Sequence, residues 1–214
     1  MNLIIVDYKL SNLHSVMAAC KQVGLSATIS SSPKDIKSSD AIILPGVGSF
    51  GSAMRNLESL NLKDSIISHG EEGKPFFGIC LGLQLLFKES EEFGKNKGLG
   101  ILEGTVKKFE NKSLNGEKYP VPQIGWNTIE SHKQEWKGTH LSNCDTGTYM
   151  YFVHSFYVDP FEESIILTKT TYGDQTYCSA IKKDNIFATQ FHPEKSGKTG
   201  IGVYKNFKEH LENM

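Results

Sequence analysis

Cysteine is scarce and dispersed. Cys20, Cys80, Cys144 and Cys178 form no Cys-x-x-Cys pair, which argues against a zinc or disulfide framework and fits a reducing cytoplasm. Excess charge is lacking too: the net charge is −1, so there is no electrostatic case for nucleic acid or an anionic membrane as partner. No apolar run reaches membrane-spanning length, and Met1 leads into Leu3-Ile4-Ile5-Val6 without the basic n-region of a secretory leader. Internal repeats and low-complexity segments are also missing. What is there, 38% hydrophobic and 22% charged residues over 214 positions, describes an ordinary globular chain. One domain spanning 1–214 accommodates it.

The first half alternates strands with helices. Residues 3–6 are all apolar, as an inner parallel strand requires. After a turn at 7–12, residues 13–23 carry Leu13, Val16, Met17, Cys20 and Val23 at helical spacing, which makes Cys20 a core residue. Strands are expected at 27–30 and 41–44, a helical turn at 33–37, and helices at 52–60 and 62–69. His69 beside Gly70 reads as a capping surface histidine. The alternation predicts an α/β fold, doubly wound around a mostly parallel sheet, with the chemistry at the C-terminal ends of its strands. Residues 89–97 are charged and read as a solvated connection. Past Gly98, β-rich pieces at 105–109, 125–129, 149–157, 165–171, 176–182 and 186–191 predict antiparallel additions in the C-terminal half. Residues 111–118 have the composition of an exposed hairpin tip. Thr199 is expected to cap a final helix striped by Ile201, Tyr204, Phe207 and Leu211.

The chemistry concentrates in Pro75-Phe76-Phe77-Gly78-Ile79-Cys80-Leu81-Gly82-Leu83-Gln84-Leu85-Leu86-Phe87. An apolar run suited to a strand passes into one suited to a helix, with glycines two residues before and two after Cys80. That is the spacing of a nucleophile elbow, whose sharp turn admits only glycine at the neighbouring positions. It sets the cysteine at a helix N-terminus, where free amides and the helix dipole favour the thiolate. A base for such a nucleophile is found in Gln190-Phe191-His192-Pro193-Glu194-Lys195-Ser196. In an extended segment His192 and Glu194 project from the same side, and Pro193 discourages a helix. The carboxylate can then hold the imidazole in one tautomer while the other ring nitrogen faces the thiol. His154 is the rival base, although a strand interior more often hides a hydrogen-bonded histidine. His14, His132, His140 and His210 lack any such context and read as surface residues.

Pro45-Gly46-Val47-Gly48-Ser49-Phe50-Gly51 brings three glycines together. A phosphate cradle is one reading, without the Gly-Lys-Ser/Thr ending of a P-loop; a plain surface turn is another.

Gly-Ile-Cys-Leu-Gly-Leu-Gln paired with Gln-Phe-His-Pro-Glu-Lys-Ser resembles the class I (triad) glutamine amidotransferases. More narrowly it resembles the glutaminase-subunit branch of the imidazole glycerol phosphate synthases, from residue 3 to about residue 205. The resemblance implies a class I amidotransferase fold that hydrolyses glutamine to glutamate and ammonia. Cys80 would be the nucleophile, His192 the proton carrier and Glu194 its orienting group. Amides of Val47, Gly48 and Leu81 would hold the oxyanion, with Gln84, Ser155 and Phe156 seating the substrate. No metal or organic cofactor is implied. The implied partner is a (β/α)8-barrel synthase subunit, joined as a heterodimer, which takes ammonia through a sealed channel to make imidazole glycerol phosphate and AICAR for histidine biosynthesis. Lys9, Asn12, Gln123, Trp126 and Lys195 would lie on the surface turned to that barrel. Lys9 and Ser11 stand where the family has glycines in Asp-Tyr-Gly-x-Gly-Asn, and Gln123 stands for the histidine of Pro-His-x-Gly-Trp-Asn. A turn needing positive φ resists lysine and serine, so the 7–12 loop is expected to be shaped differently. These departures also admit a paralogue that supplies ammonia for amidating a surface sugar. Two further readings are a binding module with a decayed triad and a thiol hydrolase or peptidase built on the same elbow.

Overall fold

The structure, a computed structural model, describes residues 1–112, 116, 118–133 and 135–214. Strands β1 (Leu3–Val6), β2 (Thr28–Ser30), β3 (Ala41–Gly46) and β4 (Phe76–Cys80) alternate with helices α1 (Leu13–Gln22), α2 (Pro33–Ser38), α3 (Phe50–Ser59), α4 (Lys63–Glu71) and α5 (Leu81–Leu85). Then come β5 (Phe87–Ser90), β6 (Asn96–Lys97), β7 (Leu102–Lys108), β8 (Gln123–Ser131), β9 (Thr148–His154) and β10 (Phe156–Pro160). The chain closes with β11 (Ile166–Tyr172), β12 (Gln175–Lys183), β13 (Ile186–Thr189) and α6 (Gly197–Glu212). Local chemistry starts the early helices. Asn12 Oδ1 accepts from Ser15 N at α1, and Ser32 Oγ from Asp35 N at α2, where Pro33 takes the first turn.

Among the described residues the sheet runs β2-β1-β3-β4-β13-β12-β10-β7-β5-β6. Its β2-β1-β3-β4-β13 part is parallel throughout. From β13 through β12 and β10 to β7 the pairs are antiparallel, and β11, β8 and β9 branch off β12. The expected mixed α/β sheet with antiparallel additions is therefore present. Both faces of the parallel part are covered, which is why its strands are apolar at consecutive positions. Ile4, Val6, Ile42 and Leu44 pack with Ile36, Leu57 and Ile66 from α2, α3 and α4. Leu3, Ile5, Ile43 and Phe77 pack with Cys20 of α1 and with Val203 and Phe207 of α6. Fully burying each such side chain contributes about 2 kcal/mol. No helix among the described residues is long and apolar enough to cross a membrane.

Several expectations need correction. The strand expected at 149–157 is two strands, because β9 pairs with β8 while β10 pairs with β7 and β12, and the chain changes partners at Ser155. The connection at 89–97 contributes to β5 and β6 and buries Ser90. Helix α6 starts at Gly197, so Ser196 and not Thr199 occupies its cap. Half of the expected hairpin tip at 111–118 lies outside the described residues; Lys112 and Lys118 form an antiparallel bridge. His69 is buried, one ring nitrogen 3.2 Å from Pro75 O and the other 3.4 Å from Ser39 Oγ.

His140 also proves buried, stacked on Phe187 with ring centroids 4.3 Å apart and with neither ring nitrogen hydrogen-bonded. Burial first, then the nearby His210 and Lys182, push its pKa from an ordinary 6.5 down to about 3. The unfolded chain thus binds this proton at a higher pH than the folded one. The associated stability is complete above about 6.5 and is lost as pH falls toward 3. Replacing the ring by an apolar one removes two unsatisfied nitrogens while keeping the stack. His140→Phe should raise stability at pH 7 by about 1–3 kcal/mol. It should also lessen the acid loss by about 1.4 kcal/mol per pH unit. Urea unfolding at pH 7 and pH 5 checks both; a variant less stable at each pH would contradict the reading.

Candidate active site

The β4–α5 junction is as sharp as the glycine spacing demands. Cys80 itself takes the strained backbone conformation, φ 54° and ψ −108°. As expected, only glycine fits at the flanking positions; neither has a positive φ, and each lets another chain segment approach. A Cβ on Gly82 would lie 1.8 Å from Leu44 O, and one on Gly78 would lie 2.9 Å from the Ala188 side chain. Helix α5 is only five residues long, so its dipole is slight and the environment of Cys80 is set mainly by side chains. The sulfur lies 3.9 Å from Val153 O and accepts from Gln190 Nε2 at 3.6 Å.

His192 and Glu194 meet through a tighter turn than the extended segment expected. Pro193–Lys195 forms one 3-10 turn with His192 at its cap. Within it His192 Nδ1 lies 2.7 Å from Glu194 Oε1, both side chains almost fully buried. Strand β9 holds this turn in place. His192 N donates to Tyr151 O at 2.9 Å, while Ser196 Oγ accepts from Tyr151 N and donates to His192 O. Burial opposes the charged imidazole, but Cys80 and the Glu194 carboxylate outweigh it, and the pKa of His192 is raised. Nε2 is close enough to Cys80 for that coupling, yet the two do not form a hydrogen bond in this conformation.

Cys80, His192, Gln84, Leu81, Val47, Gly48, Ser155, Phe156 and Lys195 all line one cavity of about 380 Å³. Glu194 sits behind His192. His154 also reaches the cavity, but its Nδ1 is held by Phe156 O at 2.8 Å and its Nε2 by Tyr177 at 3.2 Å; burial pushes its pKa down to about 3. Gln84 spends its amide NH2 inside the protein, on Phe156 O at 2.9 Å and Gln190 Oε1 at 3.0 Å. Only its Oε1 is left for a ligand. Val47 N donates to Leu10 O at 2.9 Å, so this amide is engaged away from the cavity.

Two residues at the site escaped the sequence reading. Glu92, in the connection expected to be solvated, lines the cavity and accepts from Phe50 N at the start of α3; burial raises its pKa against that hydrogen bond. Gln190 stands in the same short motif as His192, but nothing in its spacing singles it out.

The residues expected on a partner surface divide. Trp126 is 55% exposed and shares a face of the β8–β9 ribbon with Ile124, Tyr149 and Tyr151, with Lys195 Nζ 5.9 Å from the Tyr151 ring centroid. Gln123 is 2% exposed and accepts from Tyr177 Oη at 2.9 Å, so it cannot touch a partner directly. Strand alternation turns it inward, opposite to Ile124. Asn12 serves as the α1 cap. Lys9 does not avoid the positive φ: it adopts 71°, held by Asp7, which accepts both its backbone N and its Nζ at 2.8 Å.

The elbow yields a direct test. Gly82→Ala should destabilise the fold by about 3 kcal/mol, since the new methyl meets a backbone carbonyl that cannot swing aside. Denaturant unfolding measures it, and a loss below about 1 kcal/mol would show that the elbow tolerates separation from β3.

Similarity to known proteins follows the same geometry. Residues 4–210 match the family described as glutamine amidotransferase class-I. The chain is 45% identical over 215 residues to the imidazole glycerol phosphate synthase subunit HisH of Aquifex aeolicus, covering 100% of this chain and 99% of that one. It is 43% identical over 206 residues to the HisH subunit of Syntrophotalea carbinolica, covering 96% and 98%. Among solved structures, a glutamine amidotransferase superposes with a TM-score of 0.72 at 19% identity, covering 98% of each chain. The glutaminase domain of Trypanosoma brucei CTPS, solved with bound acivicin, gives 0.68 at 16% identity, covering 100% of this chain and 94% of that one. At those identities the superpositions establish the fold, and the family rests on the sequence matches: the chain belongs to the class I glutamine amidotransferases.

Proposed function

We propose that the chain, as one glutaminase domain over 1–214, hydrolyses glutamine and delivers the ammonia to a synthase subunit that makes imidazole glycerol phosphate and AICAR in histidine biosynthesis. The observation that carries this is the buried His192–Glu194 pair at 2.7 Å, with His192 lining one cavity together with a cysteine on a strained elbow. The names of the whole-length relatives support the pathway. The setting is the cytoplasm, where four free cysteines are stable.

The chemistry runs in two halves. The Cys80 thiolate attacks the side-chain amide carbon of glutamine, and the carbonyl oxygen takes up negative charge. The Leu81 amide stabilises that oxyanion, joined by Val47 or Gly48. His192, carrying the thiol proton and oriented by Glu194, gives it to the departing nitrogen, so that ammonia leaves and a glutamyl thioester forms on Cys80. His192 then takes a proton from water, which attacks the thioester and releases glutamate. The substrate is an α-amino acid with a cationic end and an anionic end. Glu92 faces the ammonium, and Ser155, Phe156 and the Gln84 Oε1 complete the seat. The reaction as written needs no metal or organic cofactor.

Ammonia lost to solvent is wasted, and the engaged Val47 amide supports a gate. Its proton is on Leu10 O, so the loop at 45–48 must turn before that amide can serve the oxyanion. The exposed face of Ile124, Trp126, Tyr149 and Tyr151 is the docking surface for a (β/α)8-barrel partner in a heterodimer, with Lys195 at its border. The buried position of Gln123 removes one of the observations favouring a sugar-amidating paralogue.

Two experiments test the proposal. Adding the barrel partner and its acceptor should raise kcat for glutamine hydrolysis far more than it changes KM, and Cys80→Ala should lose roughly 10⁴-fold or more of that activity. Full activity of the isolated chain would refute the gate. In a histidine-prototrophic bacterium lacking its own glutaminase subunit, the chain with its cognate barrel should restore growth without histidine at low ammonia. Failure to grow, with glutamine hydrolysis intact, would move the acceptor to another pathway.

A further inference from the structure

Gln190 is wholly buried, and its backbone N is fixed on Ser179 O at 2.8 Å. Its side chain ends a hydrogen-bond chain that starts at a main-chain carbonyl. Phe156 O can only accept, so Gln84 must turn its NH2 group toward it, at 2.9 Å. The second hydrogen of that same NH2 goes to Gln190 Oε1, at 3.0 Å. With its oxygen so occupied, Gln190 has only its NH2 to present to the Cys80 sulfur, 3.6 Å away. Turning either amide around would set carbonyl against carbonyl or NH2 against NH2, so the direction of the donor follows from chemistry.

We propose that Gln190 is a catalytic residue that donates an N–H to the Cys80 sulfur and stabilises negative charge there. The inference rests on the reading of Cys80 as nucleophile. Cys80 is almost fully buried, so water gives its sulfur little help, and Val153 O, at 3.9 Å, can only accept. Once the proton has moved to His192, that carbonyl repels the sulfur and Gln190 supplies a side-chain donor. A hydrogen bond to the charged form favours that form. The same chain ties the donor to Phe156, on the substrate wall of the cavity, so the orientation of Gln190 depends on the segment that seats glutamine.

The test uses the full chain and iodoacetamide, with the alkylated residue identified by mass mapping and folding checked by circular dichroism. Gln190→Met keeps length and removes the donor; Gln190→Glu keeps shape and puts a carboxylate against the sulfur. Gln84→Met leaves Gln190 in place but frees its orientation. Alkylation of Cys80 at pH 7 should slow about tenfold in Gln190→Met. Its rate–pH curve should move to higher pH, further in Gln190→Glu and less in Gln84→Met. A role in packing alone would leave the curve where it is. Should Gln190→Met fail to fold, the other two variants give the same reading. Curves superimposable on the unsubstituted protein, with Cys80 still the labelled thiol, overturn the proposal alone. Absence of label on Cys80 in the unsubstituted protein overturns both it and the nucleophile assignment.

Discussion

The close approach of the Leu44 carbonyl to Gly82 is the constraint on which the site depends. It brings the first turn of α5 down against β3 and leaves Cys80 no relaxed backbone conformation between a strand and a helix that must both stay buried. The parallel β3–β4 pairing supports this from one side and β13 from the other, through Gly46↔Cys80 and Thr189↔Ile79. Strain of this kind persists only when the surrounding core over-determines it. Here two apolar layers, one on each face of the sheet, do so.

The second requirement is that the 3-10 turn of the His192–Glu194 pair, beyond the end of β13, stay in register with an elbow at the end of β4. Strand β9 supplies the tie through Tyr151, whose N–H and C=O engage Ser196 and His192. One residue past β9 the chain passes at Ser155 into β10, which belongs to the main sheet. The ribbon that presents Trp126 outward is therefore the same ribbon that holds His192. The exposed face of that ribbon thus has a short mechanical route to the His192 turn and to the cavity wall at Ser155 and Phe156.

Much of this was legible in the sequence, for identifiable reasons. Consecutive apolar residues at 3–6 and 41–44 mark strands covered on both faces, and the Gly-x-Cys-x-Gly spacing marks the elbow; both are local patterns with local causes. The nature of the turn at His192 was not legible, because a short segment with proline suits an extended chain and a 3-10 turn equally. His69 and His140 were misplaced because polarity argues for the surface, while the actual neighbours depend on how the chain folds. Phe76 meets His69 only once the chain turns back from α4 into β4, Ser39 reaches it from the end of α2, and Phe187 and Phe207 reach His140 from remote segments. Lys9 adopted the conformation that its Cβ disfavours because Asp7, two residues back, accepts from both its backbone and its ammonium group. Glu92 and Gln190 gained their positions from tertiary contacts that no spacing encodes.

The central claim is that Cys80 alone among four cysteines is a nucleophile for glutamine. Burial pushes the thiols of Cys20 and Cys144 up to about 12 and about 11, and raises that of Cys178 further. A thiol held protonated by burial is a poor nucleophile at neutral pH. The decisive measurement is mass mapping after exposure of the protein to a glutamine-mimicking electrophile, with and without excess glutamine. The account predicts a single adduct on Cys80 that glutamine suppresses; label spread over Cys20, Cys144 and Cys178, or an adduct on Cys80 indifferent to glutamine, would contradict it.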